Sequence, residues 1–352
     1  MTYEIFGESH GPAVGVVLDK VPAGFALDME EISRQMERRR AKGGLSTSRI
    51  EGDVPEILSG VYQGKTTGTP LCAVIKNSNT RSEDYAKTQN LPRPSHGDYA
   101  GHVRYKGAND PRGGGHFSGR LTAPLVFAGS IARQFLREKG VEIGAHLLQI
   151  GRICDTPFDP VSIPEALLRE LQQEAFPVLD KAAGEAMKAE ILAAASEGDS
   201  VGGVIQCGVS GFPCGVGQPG LDCVESVLSR HMFAVPAVKG ISFGLGFDFA
   251  GKRGSEVNDP MRVENGKVIC TKNNNGGITG GIANGMPIVF QTVLKPTPSI
   301  AKPQETVDLS AMENAELVIH GRHDPCILSR AAVVIESAAA LALWEMMSGG
   351  NL

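Results

Sequence analysis

Residues 93–120, RPSHGDYAGHVRYKGANDPRGGGHFSGR, hold three of the chain's eight histidines: His96, His102 and His116. Arg93, Arg104, Arg112 and Arg120 lie in the same window, with a triple glycine at Gly113–Gly115 and Ser118 close behind. Glycine-rich backbone lets amide N–H groups converge on an anion, and arginine forks hold phosphate or carboxylate oxygens in pairs. A histidine beside them can carry a proton near neutral pH. The combination suits a multiply anionic ligand with proton transfer alongside it. The same composition would also serve a solvated basic loop.

Four further stretches could carry chemistry. In GESHG (7–11), Ser9 and His10 sit on glycine-flanked backbone that can approach a ligand closely, and His10 could protonate a leaving phosphate. ERRRAKGGLSTSR (37–49) places five arginines or lysines around a glycine pair, as an anion-binding loop or as a basic helix end. NNNGGITGGIANG (273–285) offers turns and amide donors, and Lys295-Pro296-Thr297-Pro298-Ser299 adds an ammonium and hydroxyls suited to phosphate. It matches neither the Walker loop nor the Rossmann glycine pattern. GRHDPC (321–326) puts Arg322 and Asp324 at the opening of a helix, whose N-terminus favours anions. Singly, each also fits a turn, a cap or a hairpin loop. Jointly they imply a pocket for two anionic ligands, one of them phosphorylated.

The elements that must position these residues read as mixed α and β. Residues 13–19 predict a strand, and Asp28 caps a helix reaching about Arg40, with Glu30 and Glu31 in its first turn. Strand-like runs follow at 54–62 and 71–76. Ser118 is the expected N-cap of a helix to Lys139, with Pro124 in its first turn and Gly140 past its end. Helical patterns recur at 163–176, 180–197 and 221–232, and strand patterns at 201–208, 240–248, 267–271 and 286–294. A last helix covers about Leu328 to Met347. Its apolar run is interrupted by Glu336 and Glu345, which suits a buried helix better than a membrane span. Strands and helices cluster without strict alternation, so the expected class is α+β in one large domain, 1–352.

Composition narrows the function. Hydrophobic residues make up 41% and charged residues 21% of 352, which supplies an ample core. A net charge of -5 disfavours nucleic-acid binding, which needs a basic surface. Seven scattered cysteines with no C-x-x-C pair suggest reduced thiols rather than a disulfide framework. No H-E-x-x-H and no Cys/His cluster supports zinc, and no G-x-S-x-G supports a serine hydrolase. The N-terminus lacks a signal-peptide pattern.

Beyond these readings, the ordered set GESHG (7–11), ILSGVYQGKTTGTP (57–70), NSNTRSEDY (77–85), RPSHGD (93–98), SGRLTA (118–123), NNNGGITGGIANG (273–285), KPTPSI (295–300) and GRHDPC (321–326) resembles chorismate synthase over the whole chain. The resemblance implies helices packed between antiparallel sheets. It implies a shikimate-pathway lyase converting 5-enolpyruvylshikimate-3-phosphate to chorismate and phosphate by anti-1,4-elimination. Reduced FMN is the implied cofactor, without net redox change. A homotetramer, a cytoplasmic location and an association with NADP come with it. No stretch resembles a flavin reductase domain, so reduced flavin is expected from an external source.

The same resemblance implies roles. His10 would donate a proton to the leaving phosphate, and His96 would stabilise charge on reduced FMN. Asp324 and Ser9 would form a proton relay. Arg39, Arg49, Arg93, Arg120 and Arg322 would hold substrate. His116, Phe117, Ser118, Ala237, Gly280, Lys295, Pro296, Thr297, Pro298, Ser299 and Arg322 would contact the cofactor. Such a reaction needs an electron-rich cofactor, a buried base and fixed cations. Two departures stand out. His116-Phe117 replaces the family's usual Arg-Ser, and the Arg39–Arg49 loop lacks its usual Pro-Gly. A non-catalytic flavin or phosphate binder on the same scaffold is the alternative.

Overall fold

A computed structural model describes residues 2–41, 44–46, 51–79, 89–319 and 324–349. The chain opens with β1 (Thr2–Gly7), β2 (Ala13–Asp19), α1 (Met29–Arg39), β3 (Pro55–Ser59), the hairpin β4 (Val61–Tyr62) and β5 (Lys65–Thr66), and β6 (Leu71–Lys76). A short α2 (Asp98–Arg104) precedes the triple glycine, after which α3 (Thr122–Glu138) leads to β7 (Glu142–Ile150) and β8 (Ile153–Cys154). Next come α4 (Glu165–Leu171), α5 (Lys181–Ser196), β9 (Gly203–Ser210), α6 (Val224–Phe233), β10 (Val238–Phe243) and α7 (Gly254–Val257). Hairpins β11–β12 (Met261–Glu264, Lys267–Cys270) and β13–β14 (Ile278–Thr279, Ile282–Ala283) lead to β15 (Ile288–Leu294). The hairpin β16–β17 (Gln304–Asp308, Glu313–Leu317) and α8 (Leu328–Gly349) complete the described chain.

Apolar strands pair into two antiparallel sheets. In the sheet β1-β2-β6-β3, Val14, Val16 and Leu18 of β2 lie opposite Ile75, Ala73 and Leu71 of β6, and all six are buried. In the sheet β10-β15-β9-β7-β8, Ile143, Ala145 and Leu147 of β7 oppose Val209, Cys207 and Ile205 of β9, again all buried. Between the sheets run α1, α3 and α8, with α3 touching β2 and β6 and α8 touching β7 and β9. Helices α4 and α5 lie against β7. The α+β class, with helices packed between antiparallel sheets, is as expected.

The middle layer explains the apolar helices. Every residue from Ala123 to Leu136 of α3 is buried, so no polar stripe is needed. Over Leu328–Ser348, α8 is long and apolar enough to cross a bilayer, but 78% of that window is buried inside the protein, which makes it a core helix. Glu336, in the middle of α8, is fully buried. It accepts hydrogen bonds from both terminal nitrogens of Arg38, from Arg133 Nη2 at 2.7 Å and from the Ala145 N–H at 3.0 Å. Burial pushes its carboxyl up, yet Arg38 and Arg133 outweigh this and hold it below the usual range. One carboxylate therefore ties α1, α3 and β7 to α8.

Local signals and structure differ in a few places. Ser118 Oγ accepts the Arg120 N–H, but it caps a short 3-10 turn, Gly119–Leu121, and the α-helix itself begins at Thr122. The helix expected over 163–176 is confined to Glu165–Leu171. The strand expected to reach 248 stops at Phe243, because Gly244 and Gly246 both take φ of +54° and turn the chain. Two elements had no clear local signature. Strand β7 is buried at nearly every residue and shows no alternation, and α2 lies inside the glycine-rich loop.

Candidate active site

The end of α1, the starts of α3 and α8 and the loops beside them converge on one cavity of about 890 Å³, a volume suited to small-molecule ligands. Its walls include Arg39, Arg93, His96, His116, Arg120 and Asp324. Apolar wall comes from Leu121, Leu125, Val235, Ile327 and Val334.

The triple glycine is the seam between the two histidines of interest. Gly113, Gly114 and Gly115 all have positive φ, at +59°, +85° and +52°. A Cβ on Gly113 would stand 2.2 Å from the His10 ring and 3.1 Å from Ser9 Oγ. A Cβ on Gly114 would stand 2.9 Å from the His96 ring and 3.1 Å from Arg93 Nη2. Only glycine combines that backbone with that proximity. The Ser9 N–H donates to Gly115 O at 3.1 Å, which docks GESHG onto the same run. Ser9 and His10 are thus buried behind Gly113, whereas His96 is part of the cavity wall.

His96 belongs to a tight cluster. Its Nδ1 lies 2.6 Å from Asp98 Oδ1. Asp98 also accepts from Arg93 Nη2 at 2.9 Å, Arg93 Nε at 2.7 Å and the Arg93 N–H at 3.0 Å. Burial would raise the Asp98 carboxyl, but Arg93 and His96 hold it far below the usual range. Arg93 Nη1 reaches Ser299 Oγ at 3.3 Å, and Lys295 Nζ donates to Ser95 O. The loop carrying His96 is therefore stitched to the KPTPS loop.

A second cation group forms the floor. Asp53 takes Arg39 Nη1 on one oxygen at 2.7 Å and Arg120 Nη1 on the other. Arg39 Nε donates to Thr122 Oγ1 at 2.9 Å, and Arg120 Nε to Asn77 Oδ1 at 2.8 Å. Asn77 in turn donates to Glu8 O and Gly11 O, joining GESHG to Arg120. Burial lowers Arg39 to about 10; Asp53 opposes that, while Arg330 and Arg120 add to it. Asp324 pairs with Arg330, so its carboxylate is oriented along the cavity wall.

The far wall carries the expected cofactor contacts. Lys295, Thr297, Pro298, Ser299 and Ala237 all line the cavity, and the Lys295 N–H donates to Ala237 O at 3.0 Å. Burial and neighbouring Lys239 both lower the Lys295 ammonium. Two ammoniums that destabilise each other make a ready place for an anion. Asp53, Ser95 and Ala237 each hold positive φ without being glycine, at +46°, +60° and +73°, a strain that persists where surrounding structure overdetermines it. The apolar wall, the lysine pair and the Ser299 hydroxyl suit a ligand that combines an apolar ring with an anionic group.

Not every expected contact converges here. Pro296 and Gly280 are not part of the wall: Pro296 packs toward Gly202, and Gly280 turns the β13–β14 hairpin. Arg49 and Arg322 lie outside the described residues. Ser118 lines the cavity. His116 does too, with its Nδ1 2.9 Å from Gly7 O; that carbonyl can only accept, so Nδ1 carries the proton. Phe117 lines the cavity as well and lies over α2, where a Cβ on Gly97 or Gly101 would come within 3.0 Å or 2.4 Å of its ring. His102 faces Gly107, away from the site. Sequence reasoning gave no role to Asp53, Asp98, Lys239 or Arg330. Asp98 alone had a local signal, two residues past His96 inside RPSHGD. Among the described residues, no group of three or more His, Cys, Asp or Glu side chains could hold a metal ion.

Comparison with known proteins agrees along the whole chain. A family model described as chorismate synthase matches residues 1–348. The chorismate synthase of Thermococcus kodakarensis is 43% identical over 343 residues, covering 97% of this chain and 94% of its own length. That of Pyrococcus abyssi is 44% identical over 358 residues, covering 99% and 98%. A crystal structure of chorismate synthase superposes with a TM-score of 0.77 at 27% identity, covering 99% of this chain and 91% of that one.

Proposed function

The chain belongs to the chorismate synthase family, lyases of the shikimate pathway that serve aromatic amino-acid biosynthesis, and we propose that it converts 5-enolpyruvylshikimate-3-phosphate to chorismate and phosphate with reduced FMN. The observation that carries this reading is the placing of His10 and His96 on the two sides of Gly113–Gly114, beside a cavity walled by cations. In the reaction a ring C–H bond and the C–O bond to phosphate break, and a second ring double bond forms. When bound, reduced FMN supplies electron density to the electron-poor ring.

The protein's own groups do the rest. Arg39 and Arg120, fixed by Asp53, present positive charge to substrate carboxylate and phosphate oxygens. His10, buried beside Ser9, donates the proton that the departing phosphate needs. Asp324, oriented by Arg330, and Ser9 would form the relay that carries the ring proton away, with the Asp324 carboxylate as its acceptor. Lys295, Thr297 and Ser299, with Lys239, would hold the cofactor phosphate, and the apolar wall would exclude water from its ring. His96, on the cavity wall, would serve the cofactor as a fixed hydrogen-bonding and charge-stabilising group. Arg49 and Arg322 would add to the substrate and cofactor contacts. The proposed assembly is a homotetramer in the cytoplasm, supplied with reduced flavin from outside the chain.

An anaerobic assay tests the reading. The protein is mixed with the enolpyruvyl phosphate substrate, with and without reduced FMN, and phosphate and chorismate are followed. Both products should appear, and only with reduced flavin. Flavin binding without product would leave a non-catalytic binder, and turnover without flavin would refute the cofactor assignment.

A further inference from the structure

We propose that Asp98 is a positioning residue that sets His96 and Arg93 as a single unit, fixing the His96 tautomer with Nδ1 protonated and Nε2 turned to the cavity. The inference rests on the functional reading above for what the cavity binds, but its geometry stands apart from it. Each carboxylate oxygen of Asp98 accepts two hydrogen bonds. Oδ1 takes His96 Nδ1 at 2.6 Å and Arg93 Nη2 at 2.9 Å, and Oδ2 takes Arg93 Nε at 2.7 Å and the Arg93 N–H at 3.0 Å. The arginine donors are always protonated, so the carboxylate stays ionised and Nδ1 must be the donor. Arg93 Nη2 lies 3.1 Å from Nδ1 and 3.3 Å from Nε2; Nδ1 is committed to Asp98 by the shorter 2.6 Å contact, so Nε2 is the nitrogen that accepts, from Arg93 and from a ligand in the cavity. Lys295 is tethered to the same loop at Ser95 O, and Gly114 closes the ring from the other side without a side chain.

The arrangement also explains a spacing. Residues 93, 96 and 98 are brought together by the turn in which the His96 N–H donates to Arg93 O at 3.1 Å, with Ser95 at φ +60°. Asp98 is at once the first residue of α2, so its backbone is fixed by the helix while its side chain reaches back over the turn. The carboxylate is largely shielded, with 21% of its side chain exposed, and among the described residues Arg93 and His96 are the groups that engage it. Its charge is therefore spent on orienting two groups that both face the cavity.

Asp98→Asn is the discriminating variant, because the shapes match but the bonding cannot. An amide always turns one NH₂ toward two donors, so either His96 or Arg93 is released. In the parent, ring ¹⁵N NMR of His96 in the full chain should show Nδ1–H, with Nε2 unprotonated above its titration. In Asp98→Asn that tautomer preference should be lost. The affinity for FMN, titrated by fluorescence quenching, should fall by about tenfold or more, and turnover should fall by about 10–100-fold, the range found when groups that orient a ligating histidine are removed. Asp98→Glu, which keeps two acceptor oxygens, should recover part of both. An Nε2–H tautomer in the parent, or an unchanged tautomer and FMN affinity in Asp98→Asn, would overturn the proposal. The parent measurement needs no folded variant. If the parent shows the Nδ1–H tautomer and Asp98→Asn loses it while neither makes chorismate, the functional reading fails and the role of Asp98 stands.

Discussion

At the residue scale, the cavity is built on pairs in which one member is a side chain able to carry chemistry and the other makes room for it or fixes it. His10 is backed by Gly113 and His96 by Gly114, and the glycines have no Cβ because the rings occupy that space. His10→Ala and His96→Ala should each lower turnover by roughly two to four orders of magnitude, with circular dichroism unchanged. A near-parental rate for either would remove that residue from the reaction. Gly114→Ala should do two things at once. Its left-handed φ and the crowding against His96 should cost about 1–3 kcal/mol in urea unfolding, and turnover should fall along with His96 alignment. The arginines follow the same logic. Arg39 and Arg120 are each engaged through all three nitrogens, to Asp53, Thr122 and Gly119 or to Asp53, Asn77 and Lys76. They act as a rigid charged floor rather than as mobile arms. His116 is a histidine where an arginine is usual in the resemblance, so a fixed cation is exchanged for a titratable ring docked on Gly7 O.

At the element scale, three helices are held in register by buried ions as well as by apolar packing. Phe135 of α3 stacks on Trp344 of α8 at 4.7 Å, and Glu336 of α8 receives Arg38 from α1 and Arg133 from α3. Replacing Glu336 by Leu would leave two buried guanidiniums without their counter-charge. We expect Glu336→Leu to cost about 3–5 kcal/mol in denaturant unfolding, since removing one partner of a buried pair strands the other. A loss below about 1 kcal/mol would show that water or another carboxylate replaces it. The same helices carry site residues at their ends: Arg39 closes α1, Arg120 and Thr122 open α3, and Arg330 lies in the first turn of α8. Loosening the helical layer should therefore disturb the cavity as well as stability.

At the scale of the whole molecule, acid should unfold the protein through its networked carboxylates. Burial raises Glu142, but Arg137, Gln172 and Arg169 overcome this and bring it from the ordinary 4.5 to about 2. Glu31 and Glu336 are lowered in the same sense. A carboxyl whose folded value is depressed adds stability that is complete above its unfolded value and is lost as pH falls toward the folded one. The melting temperature should thus be level above about pH 5 and drop steeply between about pH 4.5 and 2, and Glu142→Gln should flatten that drop. If the parent's Tm does not fall through this window, these networks are not what acid attacks. Several large side chains stay exposed on the described surface, including Leu221, Phe247, Val263 and Val268. On the proposed homotetramer, light scattering should give four chains, and charged replacements at Val263 and Val268 test whether that hairpin takes part. By itself the sequence determined the chemistry on offer and the local elements. Asp28 and Asp180 announced their helices, a short apolar run announced β2, and the glycines and ordered motifs announced the loops that meet at the cavity, because caps, apolar runs and backbone freedom are encoded within a few residues. Only the tertiary structure decided that Gly113 faces His10 while Gly114 faces His96, that Asp53 joins Arg39 to Arg120, and that Gly280 stands apart from the cavity. Those facts depend on which loops the two sheets and the buried helical layer bring together, and contacts between residues far apart in sequence leave no local signature.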